Sequence, residues 1–137
     1  MILETSAFCM RVRSGRDHGE TVAGAREALE REGFCVITEI NVRQAMREKL
    51  GEEFRPYTIL AACNPHFAWE ALAKLAEAGL IVACNVVVYE HEGDSVIAAV
   101  DPLRMLRLMG ENPDLQNVAA LVRGRLEAAL VSLGDSV

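Results

Sequence analysis

Apolar positions recur along this chain with two different periods, and capping and turn residues separate the runs into elements. Residues 8–12 alternate weakly and predict a first strand, followed by a loop at Ser14, Gly15 and Arg16. Asp17 with Glu20 three residues later forms a capping-box pattern, in which side chains satisfy otherwise unpaired backbone N–H groups, so a helix starts there. Val22, Ala25 and Leu29 follow at helical spacing. Gly33 can take the left-handed conformation that ends the helix while Phe34 folds back on Leu29. Residues 34–40 are rich in β-branched and aromatic side chains and predict a strand. Asn41 and Gln44 then open a second helix that Gly51 closes.

Residues 57–63 predict a third strand, and Asn64-Pro65 supplies a capping residue followed by the residue best tolerated in a first helical turn. The helix that follows has an apolar face of Phe67, Ala71, Leu72 and Leu75 and is expected to stop at Gly79, with Leu80 against Leu75. Residues 81–90 and 95–100 are two runs of β-formers around the turn His91, Glu92, Gly93, Asp94, and they predict an antiparallel hairpin. Asp101 and Pro102 open a short helix through Met109. A cap at Asp114 begins a long helix carrying Leu115, Val118, Leu121, Val122, Leu126 and Leu130. No linker interrupts the pattern, so residues 1–137 read as one domain. By themselves, strands alternating with helices through the first two-thirds suggest a parallel sheet, whereas the hairpin requires antiparallel pairing.

Composition narrows the class. An apolar fraction of 51% with 25% charged residues matches an ordinary globular protein. The net charge of −6 repels nucleic acid and anionic lipid, and Arg11, Arg13 and Arg16 are followed at once by Asp17 and Glu20, so neither is an expected partner. Glu4 lies within the first apolar residues, which argues against a secretory signal, and no run approaches the roughly 18 apolar residues of a spanning helix. Cys9, Cys35, Cys63 and Cys84 are widely spaced in a chain that needs no staples. The expected state is a cytoplasmic protein with free thiols.

Several blocks then fall in a distinctive order. They are Glu30-Arg31-Glu32-Gly33-Phe34 leading to Val36-Ile37-Thr38-Glu39-Ile40-Asn41-Val42, Phe54-Arg55-Pro56-Tyr57, Cys63-Asn64-Pro65, Cys84-Asn85-Val86-Val87-Val88-Tyr89-Glu90 and Val100-Asp101-Pro102. Together they resemble the bacterial and archaeal family known as domain of unknown function 302, from about residue 20 to residue 133. The resemblance implies an α+β fold, a curved and largely antiparallel sheet packed by helices and similar to the TATA-binding-protein-like class, with extra helices inserted between strands. It also implies a homodimer and no established activity. The chain departs from the family pattern at Cys35, where glycine is usual, and at Ala83, where proline is usual.

The residues that could carry chemistry centre on Cys63-Asn64 and Cys84-Asn85. Cys63 immediately precedes a helix N-terminus, whose free N–H groups and dipole lower a thiol pKa, and His66 lies in the first turn. Cys63 is therefore the candidate nucleophile, with Cys84 as a resolving thiol if the strands bring the two together. The bland reading is that both cysteines are small hydrophobes packed in strands. A zinc reading would combine Cys63, His66 and Cys84, but Cys-x-x-His is common by chance and no paired ligand signature supports it, so no metal or cofactor is expected. Asn64 reads first as a helix cap, whereas Asn85 is an amide inside an apolar run and must find partners, solvent or a second chain. Tyr57 and Tyr89 sit at strand ends, and His18 and His91 are expected to be exposed. The candidate ligand-binding set is thus Cys63, Asn64, His66, Cys84, Asn85 and Tyr89, in one cleft where the helix start at Asn64 meets the strand of Cys84 and Asn85. No phosphate loop, nucleophile elbow or catalytic triad is present in the sequence. The reading is a homodimeric ligand-binding or interaction module, with thiol-dependent sulfur transfer or redox sensing by Cys63 as the alternative.

Overall fold

The computed structural model describes residues 3–6, 9–108, 110 and 112–135. Within them the chain runs β1 (Glu4–Thr5), β2 (Cys9–Ser14), α1 (His18–Arg31), β3 (Cys35–Asn41), α2 (Val42–Leu50), β4 (Tyr57–Cys63), α3 (Pro65–Lys74), a 3-10 turn (Ala76–Leu80), β5 (Ala83–His91), β6 (Asp94–Val100), α4 (Pro102–Leu108) and α5 (Pro113–Leu133). Phe8 and Met109, the expected limits of the first strand and the short helix, lie outside the described residues.

Local chemistry accounts for most of these boundaries. Asp17 Oδ1 accepts the Glu20 N–H at 2.8 Å, and Asn41 Oδ1 accepts the Gln44 N–H at 3.0 Å. Gly33, at φ 88°, ends α1 while the Phe34 N–H reaches back to the Leu29 carbonyl at 3.0 Å, and Phe34 is buried. The β5–β6 hairpin turns on Glu92 and Gly93, both at positive φ, the pair of left-handed residues that matches the twist of the flanking strands.

Several boundaries differ from expectation: β2 runs on to Ser14, where a loop is expected, and β5 begins at Ala83 rather than at Ile81. The third helix ends at Lys74 rather than at Gly79: Leu75 is extended, and the 3-10 turn carries the chain on to β5. Buried Ala78 anchors that turn by accepting the N–H groups of Ile81 and Val82, which leaves Leu80 exposed rather than folded onto Leu75. The long helix starts at Pro113, one residue before Asp114, because Pro is pre-organised for the first helical position. Asp114 then sits in the first turn, where a carboxylate complements the helix dipole.

The sheet has the order β1-β2-β6-β5-β4-β3, every neighbouring pair is antiparallel, and it is not closed into a barrel. The fold is therefore α+β, with α2 and α3 inserted between adjacent antiparallel strands rather than forming parallel crossovers. Helices α1, α3 and α4 all pack on α5, and α1 and α5 contact the sheet, so these four form one layer. Beneath it lies the core, including Met10, Leu60, Phe67, Val86, Ile97 and Leu126. Strands β4 and β5 alternate cleanly: Thr58, Leu60, Ala62 and Cys84, Val86, Val88 face this inner side and are buried, whereas the intervening residues face the outer side and are partly or fully exposed. Among the described residues, no helix is long and apolar enough to cross a membrane.

Candidate functional site

Strand register decides where each candidate residue points. Ala62 pairs with Cys84, Cys63 with Ala83, and Ala61 with Asn85. Directly opposite residues share a face and successive residues alternate, so Cys63 and Asn85 project from the outer face while Cys84 projects into the core. The two cysteines expected to act together are on opposite faces of the sheet. Burial pushes the Cys84 thiol up to about 12, with a smaller contribution from Cys63, as befits a packed small hydrophobe.

The helix start is also differently used. Asn64 Oδ1 accepts the N–H groups of both His66 and Phe67, at 3.1 and 3.2 Å, so the donors expected to stabilise a thiolate are already satisfied. The Cys63 thiol is raised, not lowered, first by burial and then by neighbouring Cys35. Asn64 and His66 instead line a cleft of about 460 Å³ on the helix side, with Glu32, Leu121 and Arg125. The expected single cleft is thus divided: Cys63, Asn85 and Tyr89 on the outer face, Asn64 and His66 among the helices, and Cys84 in the core. The Cys63-His66-Cys84 metal grouping is divided with it, and among the described residues no group of three or more His, Cys, Asp or Glu could hold a metal ion.

What the outer face does assemble is a series of cross-strand rows. Tyr57 pairs with Tyr89, and their rings stack at 5.4 Å and 11°. Phe54 adds a tilted contact to Tyr57 at 6.0 Å, closing one end of the face with an aromatic group. Burial, followed by the proximity of Tyr89, raises the Tyr57 phenol. The next row is apolar: Ile40, Ile59, Val87 and Ala98 pair in succession, and the row continues into Arg11 and Glu4, which are ion-paired at 3.0 Å. Beyond it come Thr38, Ala61 and Asn85, with Asn85 exposed, and then Cys35, Cys63 and Ala83.

Sequence reasoning missed His18. Expected to be an exposed residue at a helix start, it is half-buried. Its Nε2 lies 2.9 Å from Thr58 Oγ1, and its Nδ1 is buried without a hydrogen-bond partner among the described residues. Its only sequence signal is its place just after the Asp17 cap, which says nothing of the strand residue it meets. Burial lowers the His18 pKa, opposed by the charges of Glu90, Asp17 and Glu39. The unfolded chain therefore takes up this proton first as pH falls. The contribution is fully present above the unfolded value of about 6.5, declines below it, and levels off once folded His18 also titrates. Urea unfolding on either side of about 6.5 should show this loss in the wild type and a flatter response in His18→Gln, which retains a group able to bond Thr58. Equal pH slopes in the two proteins would remove His18 as the cause.

Comparison with known proteins supports the same architecture. The family model described as "Domain of unknown function DUF302" matches residues 10–133. A crystal structure of an uncharacterized conserved DUF302 protein from Bacillus stearothermophilus is similar to this chain at 31% identity and a TM-score of 0.84, covering 92% of this chain and 98% of that one. No curated protein matches the chain.

Proposed function

We propose, from the premise that the chain belongs to the DUF302 family, that it is a cytoplasmic interaction module that forms a homodimer through the outer face of its sheet, rather than an enzyme. The observation that carries this reading is the exposure of large aliphatic side chains there. Ile40 is 44% exposed on edge strand β3 and continues into Ile59, Val87 and Ala98 across three further strands. A contiguous apolar band rimmed by polar groups is the usual mark of an association surface, and a two-fold axis through it would bring the same band of a second copy into register. Asn85, one row away, would set that register, because an amide buried at an interface requires a partner amide or carbonyl at a fixed position.

The chemistry of the thiols supports binding over catalysis. A raised Cys63 pKa and a core-facing Cys84 leave the sulfur-transfer reading without an activated nucleophile. Sedimentation velocity tests the proposal directly: the wild-type chain should sediment as a dimer at micromolar concentration. Ile40→Lys, which places a charge on each side of the axis at an exposed edge position, should sediment as a monomer with an unchanged circular dichroism spectrum. A wild-type chain that remains monomeric over the whole concentration range sinks the reading.

A further inference from the structure

The partner that Cys63 lacks in Cys84 is present on its other side. Cys35, the first residue of β3, pairs directly with Cys63, the last residue of β4, and both side chains leave the outer face. Residues directly opposite in an antiparallel ladder have Cα atoms about 4.5 or 5.5 Å apart, according to the type of pair, and either value lies within the roughly 4.4–6.8 Å spanned by disulfides. Beside the pair the register shifts between Val36 and Thr38, and such an irregularity increases local twist and lets an edge strand adjust. On the other flank stands Ala83, whose methyl group leaves the sulfurs uncrowded. Cys35 is exposed and Cys63 half-buried, so an incoming reagent meets one sulfur and the second waits behind it.

We propose that Cys35 and Cys63 form a cross-strand dithiol site that is oxidised by low-molecular-weight disulfides to an intramolecular disulfide. In the first step the Cys35 thiolate, its proton released to water, attacks one sulfur of the oxidant, RSSR. A Cys35–S–S–R bond forms, the oxidant's S–S bond breaks, and RS⁻ leaves and takes up a proton. Cys63 then loses its proton and attacks the Cys35 sulfur, which expels the second RS⁻. Two cysteine thiols are oxidised by two electrons, and one RSSR is reduced to two RSH. Burial and Cys35 raise the Cys63 pKa and so reduce its thiolate fraction, a handicap that the intramolecular nature of the second attack offsets. Cys84 takes no part, being buried on the opposite face. The site is separate from the proposed dimer band: Cys63 lies four residues along β4 from Ile59, about 13 Å at the rise of a strand.

Equilibration of the reduced full-length chain with oxidised glutathione, followed by acid quench, alkylation and peptide mass mapping, tests this. The wild type should lose two hydrogens without retaining glutathione, with Cys35 and Cys63 cross-linked and only Cys9 and Cys84 carrying the alkyl label. Cys63→Ser should instead accumulate glutathione on Cys35, and Ile40→Lys should form the same internal bond as the wild type, which separates this site from the association surface. Stable glutathione adducts with no internal bond in the wild type would overturn the proposal. So would a bond that engages Cys9 or Cys84, or one that links two chains on a non-reducing gel.

Discussion

Phe67→Ala should cost about 3–5 kcal/mol of folding stability, the range for deleting a fully enclosed aromatic side chain when the surroundings relax only in part. Phe67 is the largest fully buried side chain among the described residues and lies on α3, beneath the helix layer. Its backbone N–H is one of the two held by Asn64, so the ring that docks α3 and the cap that starts it act on the same turn. For a domain whose total stability is of the order of 5–15 kcal/mol, such a loss is a large fraction of the whole. The control lies two residues away. Trp69 is 77% exposed, and Trp69→Ala should remain within about 0.5 kcal/mol of the wild type. Urea unfolding, read as a change in midpoint at constant slope, measures both. Comparable costs at the two positions would mean that α3 is not seated through Phe67.

The second large effect is expected at Asp101. Its side chain is only 6% exposed and serves two elements: Oδ1 accepts the Leu103 and Arg104 N–H groups at the start of α4, and Oδ2 accepts Arg123 Nε from α5 at 2.9 Å. Asp101→Ala removes a helix cap and leaves Arg123 with only its longer contact to Glu127, at 3.7 Å. Because Arg123 remains 30% exposed and can partly rehydrate, the expected cost is about 2–4 kcal/mol, below the loss for a fully enclosed pair. Asp101→Asn keeps an oxygen for the cap but not the charge, and should fall between alanine and wild type. If asparagine matches the wild type in thermal and urea unfolding, the ion pair contributes nothing and the carboxylate is a cap alone.

These two positions differ in how far the sequence exposes them. Asp101-Pro102 is recognisable as a helix start, since the cap acts on N–H groups two and three residues away. That the same carboxylate meets Arg123, on another helix, follows only from the packing of α4 on α5. Likewise the apolar face expected for this helix combines Phe67, Ala71 and Leu72, yet Leu72 is exposed while Phe67 and Ala71 are enclosed, because residues four apart share the buried stripe and Leu72 lies to one side of it.

The candidate site divides along the same line. In β5 strict alternation sends Cys84, Val86 and Val88 inward once Asn85 points outward, but the nearly continuous apolar run leaves the direction of Asn85 open, and the sequence reading puts Cys84 and Asn85 in one cleft. Strand β4 is no more explicit, since Tyr57, Ile59 and Cys63 on one parity are as apolar as Leu60 and Ala62 on the other, and its one clearly polar member, Thr58, is buried against His18. Register between strands was beyond reach as well, although a slip of one residue reverses every side chain.

By itself, then, the sequence determined what short-range chemistry can specify: the caps at Asp17, Asn41 and Asn64, the left-handed exit at Gly33, and the Glu92-Gly93 turn that makes β5 and β6 a hairpin. These interactions close within a few residues and carry their partners with them. The tertiary structure alone decided the strand order, the separation of Cys63 from Cys84, the pairing of Cys63 with Cys35, and the enclosure of the His18 Nδ1. Each depends on which segments meet across tens of residues, and that is settled by the joint packing of the helix layer on one face of the sheet.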